Sequence, residues 1–151
     1  MPVHPQGDTI VGMESWILRI DHVGIAVADL DEAVDFYARA FGMSVVHEEV
    51  NEEQGVREAM LAIGDSRSCL QLLAPLSDES PIGRFLQRNG PGIQQMAYTV
   101  SDIDAISRHL RTNGVRLLYD EPKQGTAGSR INFTHPKDTG GVLIELVQHA
   151  D

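Results

Sequence analysis

The fold of this chain is decided by one stretch that occurs twice. The first copy, IDHVGIAV at residues 20–27, aligns without a gap onto IQQMAYTV at residues 93–100, 73 positions later. In this alignment His22 lies opposite Gln95. A duplicated unit that repeats polar residues at one register of an apolar strand predicts two halves facing each other around a shared site.

Each copy ends in an apolar run that contains one polar residue, and these runs place Gln71 opposite Glu145. An ionised Glu145 among apolar neighbours would cost several kcal/mol unless a cation or strong donors compensate it. Taken singly, His22 could be a hydrogen-bonded core histidine and Gln71 a buried amide. The matched register of His22, Gln71, Gln95 and Glu145 favours a metal cage, because imidazole, carboxylate and amide oxygen together bind a divalent ion.

The pattern predicts two βαβββ units in one α+β domain, with a curved mixed sheet around the metal-site cleft. Asp29 or Asp31 is the expected N-cap of the first helix, which ends at Gly42, and Asp102 or Asp104 is the N-cap of its counterpart. The expected strands are 17–27, 43–48, 58–63 and 69–73 in the first half, and 93–100, 115–119, 130–134 and 142–147 in the second. The repeats span about 17–74 and 91–148, and a linker over 74–92 carries a short helix around Ile82–Arg88.

Composition narrows the class of protein. The chain has 151 residues, of which 42% are hydrophobic, as expected for one globular domain spanning 16–151. Residues 1–15 show no periodicity and predict a disordered extension. The net charge of −10 disfavours nucleic acid and anionic membranes as partners. The single cysteine and the absence of a membrane-spanning run or a secretory signal predict a cytoplasmic location.

Several motifs resemble the methylmalonyl-CoA epimerases of the vicinal oxygen chelate superfamily. The strand motif at 20–27 is shared by the superfamily, whereas NEEQGVRE at 51–58 and the blocks between 117 and 146 resemble the epimerases specifically. Those blocks are LLYDEP at 117–122, GSRINF at 128–133, HPK at 135–137 and VLIEL at 142–146. The resemblance covers about Ile17 to Gln148.

The resemblance implies a divalent metal bound by His22, Gln71, Gln95 and Glu145, with Glu58 as a catalytic carboxylate. Without it, Glu58 would be read as one more surface carboxylate after an acidic stretch. Gln95 departs from the family pattern, in which a second histidine is usual. Because an amide oxygen is a harder and weaker donor than imidazole, we expect Co²⁺ or Mn²⁺ in the site, with Mg²⁺ or Zn²⁺ as alternatives.

The implied activity is interconversion of (2R)- and (2S)-methylmalonyl-CoA by removal and return of the C2 proton. Glu58 and Glu145 would act as base and acid on opposite faces, and the metal would stabilise the negative charge of the enolate. Arg130, Lys123 and Lys137 are candidate contacts for the acyl-CoA, although the glycine-rich stretch 125–130 is equally consistent with an ordinary loop. The family also implies a homodimer.

Other activities of the superfamily remain open at this stage. An iron dioxygenase would need two histidines and one carboxylate, which Gln71 and Gln95 do not supply. A glyoxalase-like isomerase would use similar proton transfer but lacks support from the epimerase-like blocks. A metal-free binding protein of this fold and an epimerase of another 2-alkylmalonyl-CoA, such as ethylmalonyl-CoA, are the remaining alternatives.

Overall fold

The computed structural model describes residues 15–150, so the predicted extension at 1–15 lies outside the described residues except for Ser15. In the first half the elements are β1 (Ile17–Ala26), α1 (Leu30–Phe41), β2 (Val45–Asn51), β3 (Val56–Ala62) and β4 (Cys69–Pro75). Helix α2 (Pro81–Asn89) links the halves. The second half contains β5 (Gly92–Val100), α3 (Ile103–Thr112), β6 (Lys123–Gln124), β7 (Arg130–Phe133) and β8 (Ile144–Gln148).

All eight strands form one sheet in the order β2-β3-β4-β1-β5-β8-β7-β6. The antiparallel pair β1 and β5 lies at its centre. On either side, β1 pairs in parallel with β4 and β5 pairs in parallel with β8. The order is therefore the same outward from the centre in both halves, and the predicted α+β fold with a curved mixed sheet is confirmed.

The helices begin and end where their capping residues predict. Asp29 accepts a hydrogen bond from the backbone N–H of Glu32 at 3.0 Å, and Asp102 does the same for Ala105 at 3.0 Å. Helix α1 stops at Gly42, which adopts a φ of 68° that glycine tolerates without strain. The N-caps are thus Asp29 and Asp102 rather than the alternatives two residues later.

Each half buries its own apolar core between a helix and the sheet. Leu30 of α1 packs with Leu61 and Leu72 in one core, and Ile103 of α3 packs with Leu146 in the other. Each such leucine or isoleucine is at most 2% exposed, which stabilises the fold by about 1.5–3 kcal/mol per side chain. Both helices are therefore fixed against the sheet that carries the polar residues of interest.

The predicted strand over 115–119 is wrong. This segment makes a single β-bridge, between Leu117 and Thr134, and the edge strand is instead the short β6. The side chain of Asn132 explains the difference. Its Oδ1 accepts from the backbone N–H of Tyr119 at 3.1 Å and its Nδ2 donates to the Tyr119 carbonyl at 2.9 Å. At Tyr119 a side chain therefore takes the place of backbone pairing, and the ladder is limited to the two backbone bonds around the bridge.

Of the three register shifts in the central pair of strands, two lie at equivalent positions of the repeat. The partner of Ile20 is Tyr98 and that of His22 is Ala97, so Asp21 is an extra residue on β1. On β5, Gln94 is the extra residue, and it occupies the position equivalent to Asp21 in the repeat. Bulges redirect side chains and recur beside functional sites.

Within residues 15–150, no helix combines the length and the apolar character needed to cross a membrane.

Candidate active site

The four side chains at matched repeat positions converge at the centre of the sheet. The Nε2 atom of Gln95 lies 2.6 Å from Oε1 of Glu145, 3.2 Å from Oε1 of Gln71 and 3.2 Å from Nε2 of His22. Nε2 of His22 is 2.9 Å from Oε1 of Glu145. All four residues are buried, with 2–6% of their surface exposed. The structure thus brings together the four residues that the duplication selects.

Gly24 makes this convergence sterically feasible. It pairs with Gln71 across the β1–β4 ladder and with Gln95 across the β1–β5 ladder. A Cβ atom at residue 24 would lie 2.6 Å from Cγ of Gln95, which is closer than packed atoms approach. The missing side chain of Gly24 therefore supplies the space that Gln95 occupies.

Asp21 orients His22 from behind. Its Oδ1 is 2.7 Å from Nδ1 of His22, and its Oδ2 accepts from the hydroxyl of Thr99 at 2.6 Å and from the ring of His149. Burial acts to raise the pKa of Asp21, but the hydrogen bonds with His22 and Thr99 outweigh it and hold that pKa well below its usual value. The ionised carboxylate keeps Nδ1 of His22 protonated and turns Nε2 toward the centre.

The environment of His22 strongly favours its protonated form when only protein side chains surround it. Burial acts to lower the pKa of His22, but hydrogen bonds to Asp21 and Glu145 outweigh it and raise the pKa to about 9. A proton and a cation would therefore compete for the same nitrogen, because a metal binds only the neutral ring.

Glu58 lies against the opposite side of Gln71. The Nε2 atom of Gln71 donates to Oε2 of Glu58 at 2.9 Å, and the hydroxyl of Thr126 donates to Oε1. Burial is the largest cause of a pKa raised to about 7, which the bond from Thr126 partly offsets and the charge of Glu49 reinforces. Since Glu58 is only 3% exposed and titrates near neutrality, it has the properties of a general acid or base rather than of a surface carboxylate.

The donor atoms of the cluster suit a divalent cation. Two ligands that bind one ion at 2.0–2.2 Å and at right angles are about 3 Å apart, which matches the 2.9 Å between His22 and Glu145. Because Gln71 donates its Nε2 to Glu58, its Oε1 is left facing the centre. The side-chain oxygen and nitrogen of Gln95 are interchangeable by rotation of the amide, so its oxygen can face the same point.

A cation at this point would depend on the two amides. Within the described residues, no group of three or more His, Cys, Asp or Glu side chains is placed to hold a metal ion. His22 and Glu145 alone would leave a cation with two protein ligands, and Gln71 and Gln95 would raise the number to four. Such a mixed set of nitrogen and oxygen donors fits a harder divalent ion better than one that prefers thiolates.

One cavity gives access to this cluster and to Glu58. Glu58, Gln71, Gln95 and Glu145 all line it. Its wall is largely apolar, formed by Val56, Leu73, Ile82, Ile131, Phe133 and Leu143. Near its polar side, Tyr119 donates its hydroxyl to Gln54 at 3.1 Å. The cavity thus joins two carboxylates, a cation-compatible cluster and an apolar wall, as proton transfer on a partly apolar substrate requires.

The three basic residues selected from sequence lie in different places. Lys123 has its ammonium 4.3 Å above the ring of Tyr119, which lines the cavity. Arg130 forms an ion pair with Asp104 at 3.0 Å, and neither Arg130 nor Lys137 lines this cavity. Of the three, only Lys123 approaches the cavity.

Sequence reasoning missed two residues that contact the site. Thr126 contacts Glu58 across 68 positions of the chain; it lies in the glycine-rich stretch 125–130, but nothing in that stretch indicates a contact with Glu58. Asp21 was part of the quoted motif, and its position beside His22 was the signal that could have identified its role.

Comparison with known proteins identifies the family. Residues 21–133 match the model of the Glyoxalase/Bleomycin resistance protein/Dioxygenase superfamily. The crystal structure of methylmalonyl-CoA epimerase from Mycobacterium tuberculosis is 57% identical, with a TM-score of 0.89 over 92% of this chain and 93% of that one. This chain belongs to the methylmalonyl-CoA epimerase family. The predicted family and enzyme class are thereby confirmed.

Two further members of the epimerase family are informative. A methylmalonyl-CoA epimerase solved in complex with methylmalonyl-CoA and NH4⁺ is 53% identical over 89% of this chain and 96% of that one, with a TM-score of 0.86. The ethylmalonyl-CoA/methylmalonyl-CoA epimerase of Cereibacter sphaeroides is 38% identical over 86% of this chain and 97% of its own length.

Proposed function

We propose that this chain is a metal-dependent epimerase that interconverts (2R)- and (2S)-methylmalonyl-CoA by removing and returning the C2 proton. The observation that carries the proposal is Glu58, a buried carboxylate with a pKa of about 7 that shares one cavity with Glu145 and the cation-compatible cluster. The epimerase relatives described above carry methylmalonyl-CoA in their names, which supports the choice of acyl group.

The residues of the chain supply the proton chemistry. Inversion at C2 needs one group to take a proton from one face and another to deliver a proton to the opposite face. Glu58 and Glu145 are the two carboxyl groups that line the cavity, and they belong to different halves of the chain. Hydrogen bonds from Gln71 and Thr126 hold both oxygens of Glu58, so its orientation is fixed before the substrate binds.

His22, Gln71, Gln95 and Glu145 would hold the metal, with Co²⁺ or Mn²⁺ preferred over Mg²⁺ or Zn²⁺. The bound ion would stabilise the negative charge that develops on the thioester oxygen. The apolar wall of the cavity excludes water from this region and strengthens that electrostatic effect.

Deuterium exchange at C2 of methylmalonyl-CoA in D₂O, read by mass spectrometry, tests the proposal. The protein is assayed with Mn²⁺ or Co²⁺ and after chelation. We expect metal-dependent exchange in the wild type. In Glu58→Gln, which keeps the size of the side chain but cannot accept the proton, the rate of interconversion of the two epimers should fall by at least 100-fold, and any remaining exchange should be confined to one epimer. Glu52→Gln, an exposed carboxylate of the same acidic stretch, is the matched control. Exchange that survives chelation, or interconversion of the two epimers that survives Glu58→Gln, contradicts the mechanism.

The same assay with ethylmalonyl-CoA addresses the acyl group. The Cereibacter relative carries both substrates in its name, which makes this the second candidate. A metal-free binding protein would not need a buried carboxylate that titrates near pH 7, so Glu58 disfavours that alternative. If the purified protein binds acyl-CoA but catalyses no exchange at C2, the binding-protein alternative is favoured instead.

We also propose a homodimer. Strand β2 lies at the edge of the sheet and exposes Val46 (60%) and Val50 (55%), an apolar edge that association would cover. Light scattering during size-exclusion chromatography should give twice the chain mass of 16.6 kDa. A monomeric mass would refute this. The cytoplasmic location stays a prediction.

A further inference from the structure

The curvature of the sheet brings its two edges into contact. Strand β2 is one edge and β6 is the other, and the loop that follows β6, residues 125–129, contacts the first half of the chain. Ala127 donates its backbone N–H to Oε1 of Glu49 on β2 at 2.8 Å, and the hydroxyl of Thr126 donates to Oε1 of Glu58 on β3. Two adjacent residues of this loop are thus bonded to two adjacent strands of the other half.

Glu49 and Glu58 are cross-strand neighbours. They pair in the antiparallel ladder of β2 and β3, so their side chains leave the sheet on the same face. The bond from Ala127 to Glu49 is charge-assisted, because its acceptor is a carboxylate, and is therefore stronger than a bond between neutral groups. The position of the loop 125–129 relative to Glu58 consequently depends on Glu49 as well as on Thr126.

His47 restrains the side chain of Glu49. It lies two residues earlier on β2 and so on the same face of the strand. Its Nε2 atom is 2.6 Å from Oε1 of Glu49, the same oxygen that accepts from Ala127. Because an ionised carboxylate can only accept, His47 is the donor. With 39% of His47 and 27% of Glu49 exposed, both side chains are partly buried, and two donors fix one oxygen of Glu49.

The backbone of the loop adopts an unusual conformation at the point of attachment. Ala127 has a φ of 54° and a ψ of 36°, and among residues 15–150 it is the one non-glycine residue with a positive φ. A side chain disfavours this left-handed region, and such a conformation persists where neighbouring groups hold it. The bond to Glu49 is a contact from outside the loop that holds the N–H of Ala127. Thr126, one residue earlier, contacts Glu58 from this restrained backbone.

The same loop forms part of the cavity wall. Gly125 and Thr126 line the cavity that contains Glu58. Thr126 and Ala127 line a second cavity, which His47 also lines. Because Thr126 belongs to both walls, a shift of the loop would break its bond to Glu58 and join the two cavities. Proton transfer depends on a base held in a narrow range of positions, so such a shift would slow the reaction.

We propose that Glu49, restrained by His47, is a positioning residue for epimerisation: through the N–H of Ala127 it fixes the loop so that Thr126 orients the carboxylate of Glu58. The proposal rests on the proposed function, because it gives Glu49 a role in the reaction of Glu58. Glu49 does not line the cavity that contains Glu58, so it acts through the loop and not on the substrate.

A double-mutant cycle tests this series of contacts. Glu49→Ala should lower kcat about tenfold and change the KM for methylmalonyl-CoA by less than about twofold, because it displaces a group that acts in proton transfer. Thr126→Val, which removes the hydroxyl and keeps the shape, should lower kcat by a similar factor. The double variant should be no slower than Thr126→Val alone, since Glu49 acts through Thr126. Glu48→Ala, an exposed carboxylate on the opposite face of β2, is the matched control.

Glu49→Gln separates geometry from charge. The amide oxygen of the new side chain can still accept from Ala127 and His47, so kcat should stay within about twofold of the wild-type value. A fall as large as that of Glu49→Ala would show that the negative charge beside Glu58 is what matters, and would overturn the proposal. Effects of Glu49→Ala and Thr126→Val that multiply in the double variant would also overturn it, because they would be independent.

Amide hydrogen exchange, followed by NMR, measures the attachment of the loop without catalysis. The amide of Ala127 should exchange at least about tenfold faster in Glu49→Ala than in the wild type. The amide of Val27, which donates to the carbonyl of Leu73 at 2.9 Å, should exchange equally in both and reports that the fold is intact. Equal exchange of Ala127 in the two proteins would overturn the proposal. Faster exchange in a protein whose wild type catalyses no epimerisation would refute the proposed function and leave the attachment by Glu49 standing.

Discussion

Replacement of Asp21 by asparagine should change how metal affinity depends on pH. Asp21 accepts hydrogen bonds from His22, Thr99 and His149, so it is the only link between the imidazole ring and the surrounding strands on that side among the described contacts. Asparagine keeps the shape but has one acceptor and one donor. The amide nitrogen of the new side chain then points either at His22 or at Thr99 and His149, all of which donate to the carboxylate in the wild type. The imidazole ring is therefore no longer held with Nε2 directed at the cluster.

Two opposing effects determine the size of the change. Loss of the partner that orients a metal-binding histidine typically costs 10–100-fold in affinity. The second effect acts in the opposite direction. Because the pKa of His22 is about 9 in the wild type, protonation of the ring weakens the apparent metal affinity about 100-fold at pH 7. Without the carboxylate that pKa falls toward its ordinary value of 6.5, and the competition at pH 7 nearly disappears. The two effects should largely cancel at pH 7.

The difference should therefore appear at alkaline pH. Wild-type affinity is expected to rise about tenfold per pH unit from pH 6.5 to 9, whereas that of Asp21→Asn stays nearly flat above pH 7 and ends 10–100-fold weaker at pH 9. Anaerobic calorimetry with Mn²⁺ in buffers of different ionisation enthalpy measures affinity and proton release together. Wild type should release about one proton per ion at pH 7.5, and the variant much less.

An equal slope and an equal affinity at pH 9 in both proteins would refute the role assigned to Asp21. Thr99→Val provides a graded comparison, because it removes one hydrogen bond from Asp21 and leaves the carboxylate in place. It should reduce the affinity at pH 9 by less than Asp21→Asn does. A larger effect of Thr99→Val would contradict the argument.

Three further outcomes follow from the same site. The free energy of unfolding of the metal-free protein, measured by urea titration, should fall by about 3 kcal/mol as pH rises from 6.5 to 9. The reason is that the raised pKa of His22 stabilises the folded state fully below pH 6.5, and that this stabilisation is lost by pH 9. Gly24→Ala should weaken Mn²⁺ binding at least tenfold by displacing Gln95, whereas Gly92→Ala, with open space around its Cβ, should not; calorimetry of both variants decides this. Gln95→His should raise Zn²⁺ affinity more than Mn²⁺ affinity in competition titrations, since imidazole is the softer ligand.

The sequence contains enough information for the fold and for the centre of the site because both repeat. The 73-residue spacing aligns β1 with β5, and the same alignment matches His22 with Gln95 and Gln71 with Glu145. Capping residues then define the helices, since Asp29 and Gly42 act locally. Each of these inferences depends on short-range rules or on comparison of two segments of the same chain.

The features that escaped prediction depend on contacts between distant segments. The side chain of Asn132 takes the place of backbone pairing at Tyr119. The apolar pattern of a strand is still present in the sequence there, although the segment makes only one β-bridge. The contact between Thr126 and Glu58 joins residues on opposite halves. The bulge at Asp21 shifts the register of the central pair, which alternation alone cannot reveal.

The two halves of the chain meet at the seam formed by the antiparallel pair β1 and β5. This arrangement affects how the residues of the central cluster can change during evolution. Two separate copies of one half-length chain, paired across the same seam, would be forced to present identical side chains from both members. Covalent fusion removes that restriction, and this chain differs at both pairs of matched positions. An imidazole at His22 corresponds to an amide at Gln95, and an amide at Gln71 corresponds to a carboxylate at Glu145. The bulges at Asp21 and Gln94 differ in the same way, because Asp21 forms a hydrogen bond with His22 while Gln94 lines the cavity that contains Glu58. In the fused chain, a residue of one half can therefore change while its counterpart in the other half stays the same. In a symmetric pair of identical half-chains, both residues would always change together.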